Sequence, residues 1–387
     1  MHPMVKPALR RAWRDLQYVQ FGVAPAHAVL VGPVDTATGS LLSLFDGVRG
    51  LPRLREEARA IGLPDGHVDA VLGRLTAAGL VDDATGGGPP ADALRQRTGA
   101  LDRLRADLAS LCVVHPEPGG GMRRLAARGA MRVQVRGAGR VGAAIAAVLS
   151  ASGVGRVDVL DGGCAEPWDV APGGLPADAV GERRASAARQ LVRRSAPGTT
   201  PRSKRRPAGG PPLDDSAPDE PALSLVVVAP RDGLAAYAPD PAAAESWITS
   251  GTPHLYAGVV EATGVVGPLV LPGGTACAGC LALGRAERDP VWPRMLAQWR
   301  SGRRPAAEGC DLALATAVAG MAAAHALSFL DGDLPTSTGA RWETSLPLLG
   351  WRSEQIGARH DCPCGAAGQT EGERASGAGT RHDTMAG

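Results

Sequence analysis

Two groups of residues in this sequence have the types and spacing to do chemistry. The first is Gly137-Ala138-Gly139-Arg140-Val141-Gly142, which follows a β-rich run at 132–135 and opens directly into the apolar stretch 143–149. Glycines let a backbone turn tightly and approach a phosphate, which then rests on the amides and the positive end of the following helix. A second apolar run, 157–160, ends at Asp161, about twenty residues on, where a carboxylate meets a ribose hydroxyl. The pattern predicts nucleotide binding through Gly137, Gly139, Gly142 and Asp161. The second group is Cys277 and Cys280 in a turn rich in Gly and Ala, with Cys362 and Cys364 in a much later loop. Four thiolates from two loops suit tetrahedral zinc, in a closed site that stabilises and does not catalyse; two inert loop pairs are the plainer alternative. One residue separates the sulfurs of the second pair, and His360 is a reserve ligand.

The remaining cysteines and aromatics carry weaker signals. Cys310 precedes a long apolar segment, where a helix N-terminus could lower its pKa and make it a nucleophile, although a buried, inert thiol is commoner. Cys112 and Cys164 lack any partner motif and read as structural. His254 and Tyr256 read as residues that pack a strand. Trp168, Trp247, Trp292 and Trp299 read as core or lid anchors.

The elements that must position these groups follow from the rest of the chain. Its 387 residues suit two to three domains, since one domain runs to roughly 100–200. Hydrophobic residues make up 44% and charged ones 21%, which excludes a wholly disordered or fibrous chain. A net charge of +2 supplies no field that would draw nucleic acid or an anionic membrane. Strand-like runs at 16–22 and 28–32, then three short helical stretches and a strand at 80–81, predict a small winged-helix-like domain over 1–85. Its third helix places Val68, Val71, Leu72 and Leu75 on one face. Its polar positions are Asp65, His67, Asp69 and Arg74, which disfavours DNA. Residues 86–130 read as a linker and one amphipathic helix over 91–112. An α/β nucleotide-binding domain then spans 131–365, with a disordered insertion at about 197–221 and a disordered tail at 366–387. Residues 312–330 reach the lower edge of membrane-spanning length, but their alanine content favours a buried core helix. No signal peptide is evident, so a cytoplasmic protein is expected.

The ordered motifs resemble the ThiF, MoeB and HesA family, relatives of ubiquitin-activating enzymes. The resemblance runs from Arg136 to Gly142 and the strand ending at Asp161, through Val180-Gly181, the strand 223–229, Pro253-His254-Leu255-Tyr256 and the first cysteine pair, to Cys362-Pro363-Cys364-Gly365. It implies a Rossmann-like, ThiF-type domain that binds ATP and Mg²⁺. It implies too that a peptide or protein C-terminal carboxylate attacks the α-phosphorus, giving an acyl-adenylate and pyrophosphate, and that the chain forms a homodimer. The sequence departs from relatives at three places. Where they carry an arginine in an Asn-Leu-x-Arg-Gln segment, this chain has Glu166-Pro167-Trp168-Asp169. Their catalytic lysine falls on Arg184, and a planar guanidinium does not replace a compact ammonium conservatively. Their metal-binding aspartate falls on Arg231, with Asp232 one residue late; Asp232 either reaches Mg²⁺ by a loop shift or is a surface acid.

Two functions follow. One is an ATP-dependent adenylyltransferase, with Arg184 and Asp232 as catalytic residues and the N-terminal domain holding a peptide. That domain resembles the peptide-recognition elements of ribosomal peptide modification systems, which add a leader peptide to a sheet edge. The other is a catalytically silent scaffold that delivers the peptide to a partner modifying enzyme. An NAD-dependent oxidoreductase would leave the paired cysteines unexplained.

Overall fold

The computed structural model describes residues 1–198, 222–302 and 308–368. It divides into two compact units, with the boundary between Ala130 and Met131.

The first unit opens with β1 (Pro3–Val5), β2 (Arg11–Trp13), β3 (Val19–Phe21) and β4 (Val29–Val31), followed by α1 (Thr36–Leu44), α2 (Leu51–Ala60), α3 (His67–Ala77) and β5 (Val81–Asp83). Strands β2, β3 and β4 form an antiparallel sheet in that order, while β1 pairs with β5. Val19 and Phe21 point inward from β3, and Val68, Val71, Leu72 and Leu75 of α3 join them in one core, as their helical spacing requires. The Asp35 carboxylate accepts from the Thr38 amide at 2.7 Å and caps α1. The sequence signals missed β1 and β2, because three-residue strands carry too little periodicity to read.

The predicted single helix over 91–112 is three helices: α4 (Pro89–Arg95), α5 (Thr98–Arg103) and α6 (Arg105–Val114), followed by α7 (Gly120–Arg128). Arg97, with φ −93° and ψ 65°, leaves helical geometry and breaks the run. The leucine stripe survives the break, since Leu104 and Leu111 bury against Leu125 of α7. Lys6, just after β1, is 1% exposed and donates to the His115 carbonyl at 3.3 Å. Nearby Asp82 accepts from the Cys112 thiol at 3.0 Å and the Gly119 amide at 2.6 Å. Burial, with the Asp82 carboxylate alongside, pushes the Cys112 thiol up to about 12, so it is inert as a nucleophile.

The second unit is an α/β sandwich around a seven-stranded mixed sheet. Its elements are β6 (Arg132–Arg136), α8 (Arg140–Ala151), β7 (Arg156–Leu160), α9 (Arg184–Ser195), β8 (Leu225–Val228), α10 (Leu234–Tyr237), α11 (Glu245–Thr249), β9 (His254–Val260), β10 (Thr263–Val270), α12 (Ala278–Arg288), α13 (Trp292–Ser301), α14 (Leu312–Leu330), β11 (Ala340–Ser345) and β12 (Arg352–Gln355). Strand order is β12-β11-β10-β9-β8-β6-β7. The β6, β7, β8 and β9 part is parallel, and the rest antiparallel. The chain runs from β6 to β7 on one side and returns to β8 on the other, so β6 is the topological switch point beside which such sheets bind ligands. Helix α14 buries Leu314, Val318, Ala322 and Ala326 and lies against α8, β9 and β10. The alanines let it approach closely, and it behaves as the core helix that its composition predicted.

The predicted insertion at 197–221 lies almost wholly outside the described residues, as does the predicted tail beyond residue 368. Ala366 and Ala367 are buried, with Ala366 packed among the cysteines, so the fold runs past Gly365.

Candidate functional site

The glycine loop joins β6 to α8 and needs glycine at two of its positions for separate reasons. Gly137 has φ +116°, and a Cβ there would stand 1.9 Å from the Ala229 carbonyl oxygen. A Cβ on Gly142 would stand 2.2 Å from the Gly137 carbonyl oxygen, so this glycine lets the helix start close to the loop. The first turn of α8 therefore presents free amides and the positive end of a twelve-residue helix to the mouth of the switch point.

Asp161, at the end of β7, holds that loop. Its Oδ2 accepts from the Ala138 amide at 2.6 Å, and its Oδ1 accepts from Arg184 Nε at 2.9 Å. Arg184 opens α9, and its Nη1 donates to the Cys164 carbonyl at 2.5 Å and reaches Asp169 Oδ2 at 3.6 Å. Asp169 is 2% exposed; its Oδ1 accepts from Arg231 Nε at 2.8 Å and its Oδ2 from the Glu166 amide at 2.9 Å. Arg231 also pairs with Glu166 and lies over the Trp168 ring. Carboxylate and guanidinium thus alternate from Asp161 through Arg184, Asp169 and Arg231 to Glu166. Burial draws the Arg231 pKa down, but Asp169, Glu308 and Glu166 outweigh it and raise it overall.

Two adjoining cavities open at this array. One, of about 710 Å³, is lined by Gly137, Asp161, Arg184, Arg231 and Asp232, with Arg136 and Arg189. The other, of about 350 Å³, is lined by Gly139, Arg140, Gly142, Trp168, Arg231 and Cys310. Arg231 is the wall between them. Sequence reading placed the three glycines, Asp161, Arg184 and Asp232 here, and the structure brings all of them to this face. It assigned nothing to Asp169, which only its two arginine partners reveal, nor to Arg140, whose Nη1 donates to the Cys310 carbonyl at 2.7 Å. Asp232 Oδ1 accepts from the Leu234 amide at 3.0 Å and so serves the start of α10.

Cys310 is half-buried in the wall of the smaller cavity. Burial raises its pKa, opposed by Arg140, so the helix that follows does not activate it as the sequence allowed. The Cys164 side chain is exposed, not structural; its backbone does the holding. His254 is 0% exposed, with Nδ1 3.1 Å from the Thr252 carbonyl oxygen, and packs between Trp247 and Tyr256. Burial lowers its pKa and keeps it neutral. Trp247 is a core anchor, while Trp168 at 53% and Trp299 at 51% are exposed at cavity walls.

The four paired cysteines converge on one point beside α12. Their sulfur atoms all lie within 4.8 Å of one another, with Cys277 to Cys362 at 3.5 Å and Cys280 to Cys364 at 3.6 Å. A tetrahedron with Zn–S bonds of about 2.3 Å has sulfur edges of roughly 3.8 Å. A hydrogen bond with the Cys277 thiol beside it holds Cys280 well below the usual thiol range. Donor set and spacing therefore fit a tetrahedral thiophilic metal; His360 is exposed and outside the set.

No curated protein sequence matches the chain. Among solved structures, E. coli MccB with ATP superposes with a TM-score of 0.64 at 15% identity, covering 94% of this chain and 99% of that one. E. coli MccB with AMPCPP and MccA gives 0.65 at 14% identity over the same shares. The heterocyclase TruD gives 0.60 at 17% identity, covering 96% of this chain and 44% of that one. At such identities the likeness is one of fold. The model of the ThiF family matches residues 119–365, the stretch that carries the glycine loop, Asp161 and all four paired cysteines, and the chain belongs to that family.

Proposed function

We propose that this protein is a cytoplasmic, ATP-dependent adenylyltransferase that activates the C-terminal carboxylate of a peptide for modification. The observation that carries the reading is the glycine loop at the switch point, with Asp161 and Arg184 facing a cavity of about 710 Å³ in a ThiF-family domain. ATP would supply the adenylyl group, and pyrophosphate would leave as the carboxylate oxygen attacks the α-phosphorus. The chain's own part is positional and electrostatic. The Gly139 to Gly142 amides and the α8 dipole cradle phosphate, Asp161 accepts from a ribose hydroxyl, and Arg184 neutralises developing charge. MccB neighbours of the same fold are described with ATP, with AMPCPP and with MccA, which favours the same pairing of nucleotide and acceptor.

The first unit supplies the peptide-binding part of this reading. Strands β2 and β4 are the two outer strands of their sheet, and β2 presents Trp13 at 50% exposure and β4 Leu30 at 48%. A leader peptide adding to one of these edges would gain main-chain hydrogen bonds and apolar contacts together. Zinc would occupy the cysteine site and stabilise the C-terminal loop, and the homodimer belongs to the same reading.

A thermal melt of the zinc-loaded protein with ATP, and with NAD as control, tests the proposal. Binding stabilises by RT ln(1 + [L]/Kd), about 2.7 kcal/mol at a hundredfold excess over Kd. A shift with ATP alone is expected, followed by pyrophosphate release that depends on a free peptide carboxylate. The absence of any shift with ATP would leave the peptide-delivering scaffold in its place.

A further inference from the structure

The surroundings of Arg231 do not fit the Mg²⁺ that the family resemblance implies. The guanidinium lies where relatives carry their metal-binding aspartate, and it is fixed there by Asp169 and Glu166. A Cβ on Gly139 would stand 3.3 Å from Arg231 Cγ, so the arginine stem crosses the open face of the glycine loop. Most carboxylates around Arg231 already face a partner. Asp161 and Asp169 each use both oxygens, Glu166 pairs with Arg231, and Asp232 serves the start of α10. Among the described residues, the one set of three or more metal-ligand atoms drawn together is the cysteine set.

The same residues do fit a polyphosphate without a metal. A guanidinium is permanently charged and presents forked donors that match phosphate oxygens. Asp169, 2% exposed, lies between Arg184 and Arg231: it accepts from Arg231 Nε at 2.8 Å and stands 3.6 Å from Arg184 Nη1, whose fork also donates to the Gly162 and Cys164 carbonyls. The larger cavity is lined by four arginines, Arg136, Arg184, Arg189 and Arg231, against two carboxylates, Asp161 and Asp232. We propose that Arg231 and Arg184, positioned by Asp169, supply the charge that a divalent ion would otherwise bring, so that the site takes ATP as the free anion. This rests on the ATP-binding reading above and names the nucleotide form that the site selects.

The test is isothermal titration of ATP into the full-length, zinc-loaded protein, with and without excess MgCl₂. The magnesium-free buffer is prepared over a chelating resin, because a dissolved chelator would strip the cysteines. The wild-type protein is expected to bind ATP in both buffers with affinities within about threefold. Arg231→Gln and Asp169→Asn should each weaken magnesium-free binding by about tenfold or more. Arg231→Lys, which keeps the charge without the fork, should recover part of the loss, and Arg231→Asp should bind only with magnesium. Melting of each variant without nucleotide separates misfolding from loss of the site. Wild-type binding that requires magnesium, or Arg231→Gln that binds as well as wild type without it, overturns the proposal and leaves the ATP reading standing. No binding in either buffer removes both.

Discussion

The glycine-loop array and the cysteine cluster solve opposite electrostatic problems within one unit. Around the loop, acids and arginines alternate, so every buried charge from Asp161 to Glu166 already faces an opposite one. At the cysteines the chain supplies four potential anions within 4.8 Å and no matching cation in the set. The first site holds its charges in pairs before any ligand arrives and must exchange partners to bind one. The second offers four donors to a thiophilic cation, and any stability such a cation supplied would depend on metal supply.

Removing a sulfur tests the cysteine site and should have the largest effect. Cys277→Ser or Cys362→Ser should abolish stoichiometric zinc and forfeit much of a metal-coupled folding free energy of order 10 kcal/mol. Equal metal content and an unchanged melt would dissolve the contrast. In the paired site, Asp169→Asn leaves Arg184 and Arg231 short of a buried partner and should cost about 3 kcal/mol in denaturant unfolding. Zinc content should be unaffected. Gly137→Ala adds a Cβ 1.9 Å from the Ala229 carbonyl oxygen at φ +116°. It should cost about 2–3 kcal/mol and remove the ATP-dependent melting shift. At the small end, Arg55→Ala breaks a pair with Asp69 made of the same groups, but at 45% and 48% side-chain exposure. Its cost should be too small to resolve in denaturant unfolding, because solvent screens the pair, and a loss near that of Asp169→Asn would show that burial is not what separates them.

The parts of this molecule legible in sequence were those whose chemistry is local. The glycine loop is a contiguous run with forced backbone geometry, and the leucines and alanines of α14 write a buried helix by composition alone. The cysteine pairs were legible because few other arrangements explain two close pairs of thiols. The arginine array was only half legible. Arg231 was visible as an odd residue at an expected acid, but its partner Asp169 lies sixty-two residues away in sequence, and no spacing rule connects them. The break at Arg97 was hidden because the leucine spacing continues across it. The pairing of β1 with β5 was hidden because both strands are three residues long and meet only through the fold.

Lys6 is one of only two lysines in the chain, the other being Lys204. Its amine is buried against the His115 carbonyl, beside the strand pair that joins the first unit's beginning to Val81–Asp83. Reagents that acylate amines therefore reach it only when β1 leaves its neighbour. Its labelling rate, followed by mass spectrometry, becomes a single-residue clock for opening of the first unit, read against almost no background from other side chains. A leader peptide that steadies that unit on binding would slow this clock even where it shifts no optical signal.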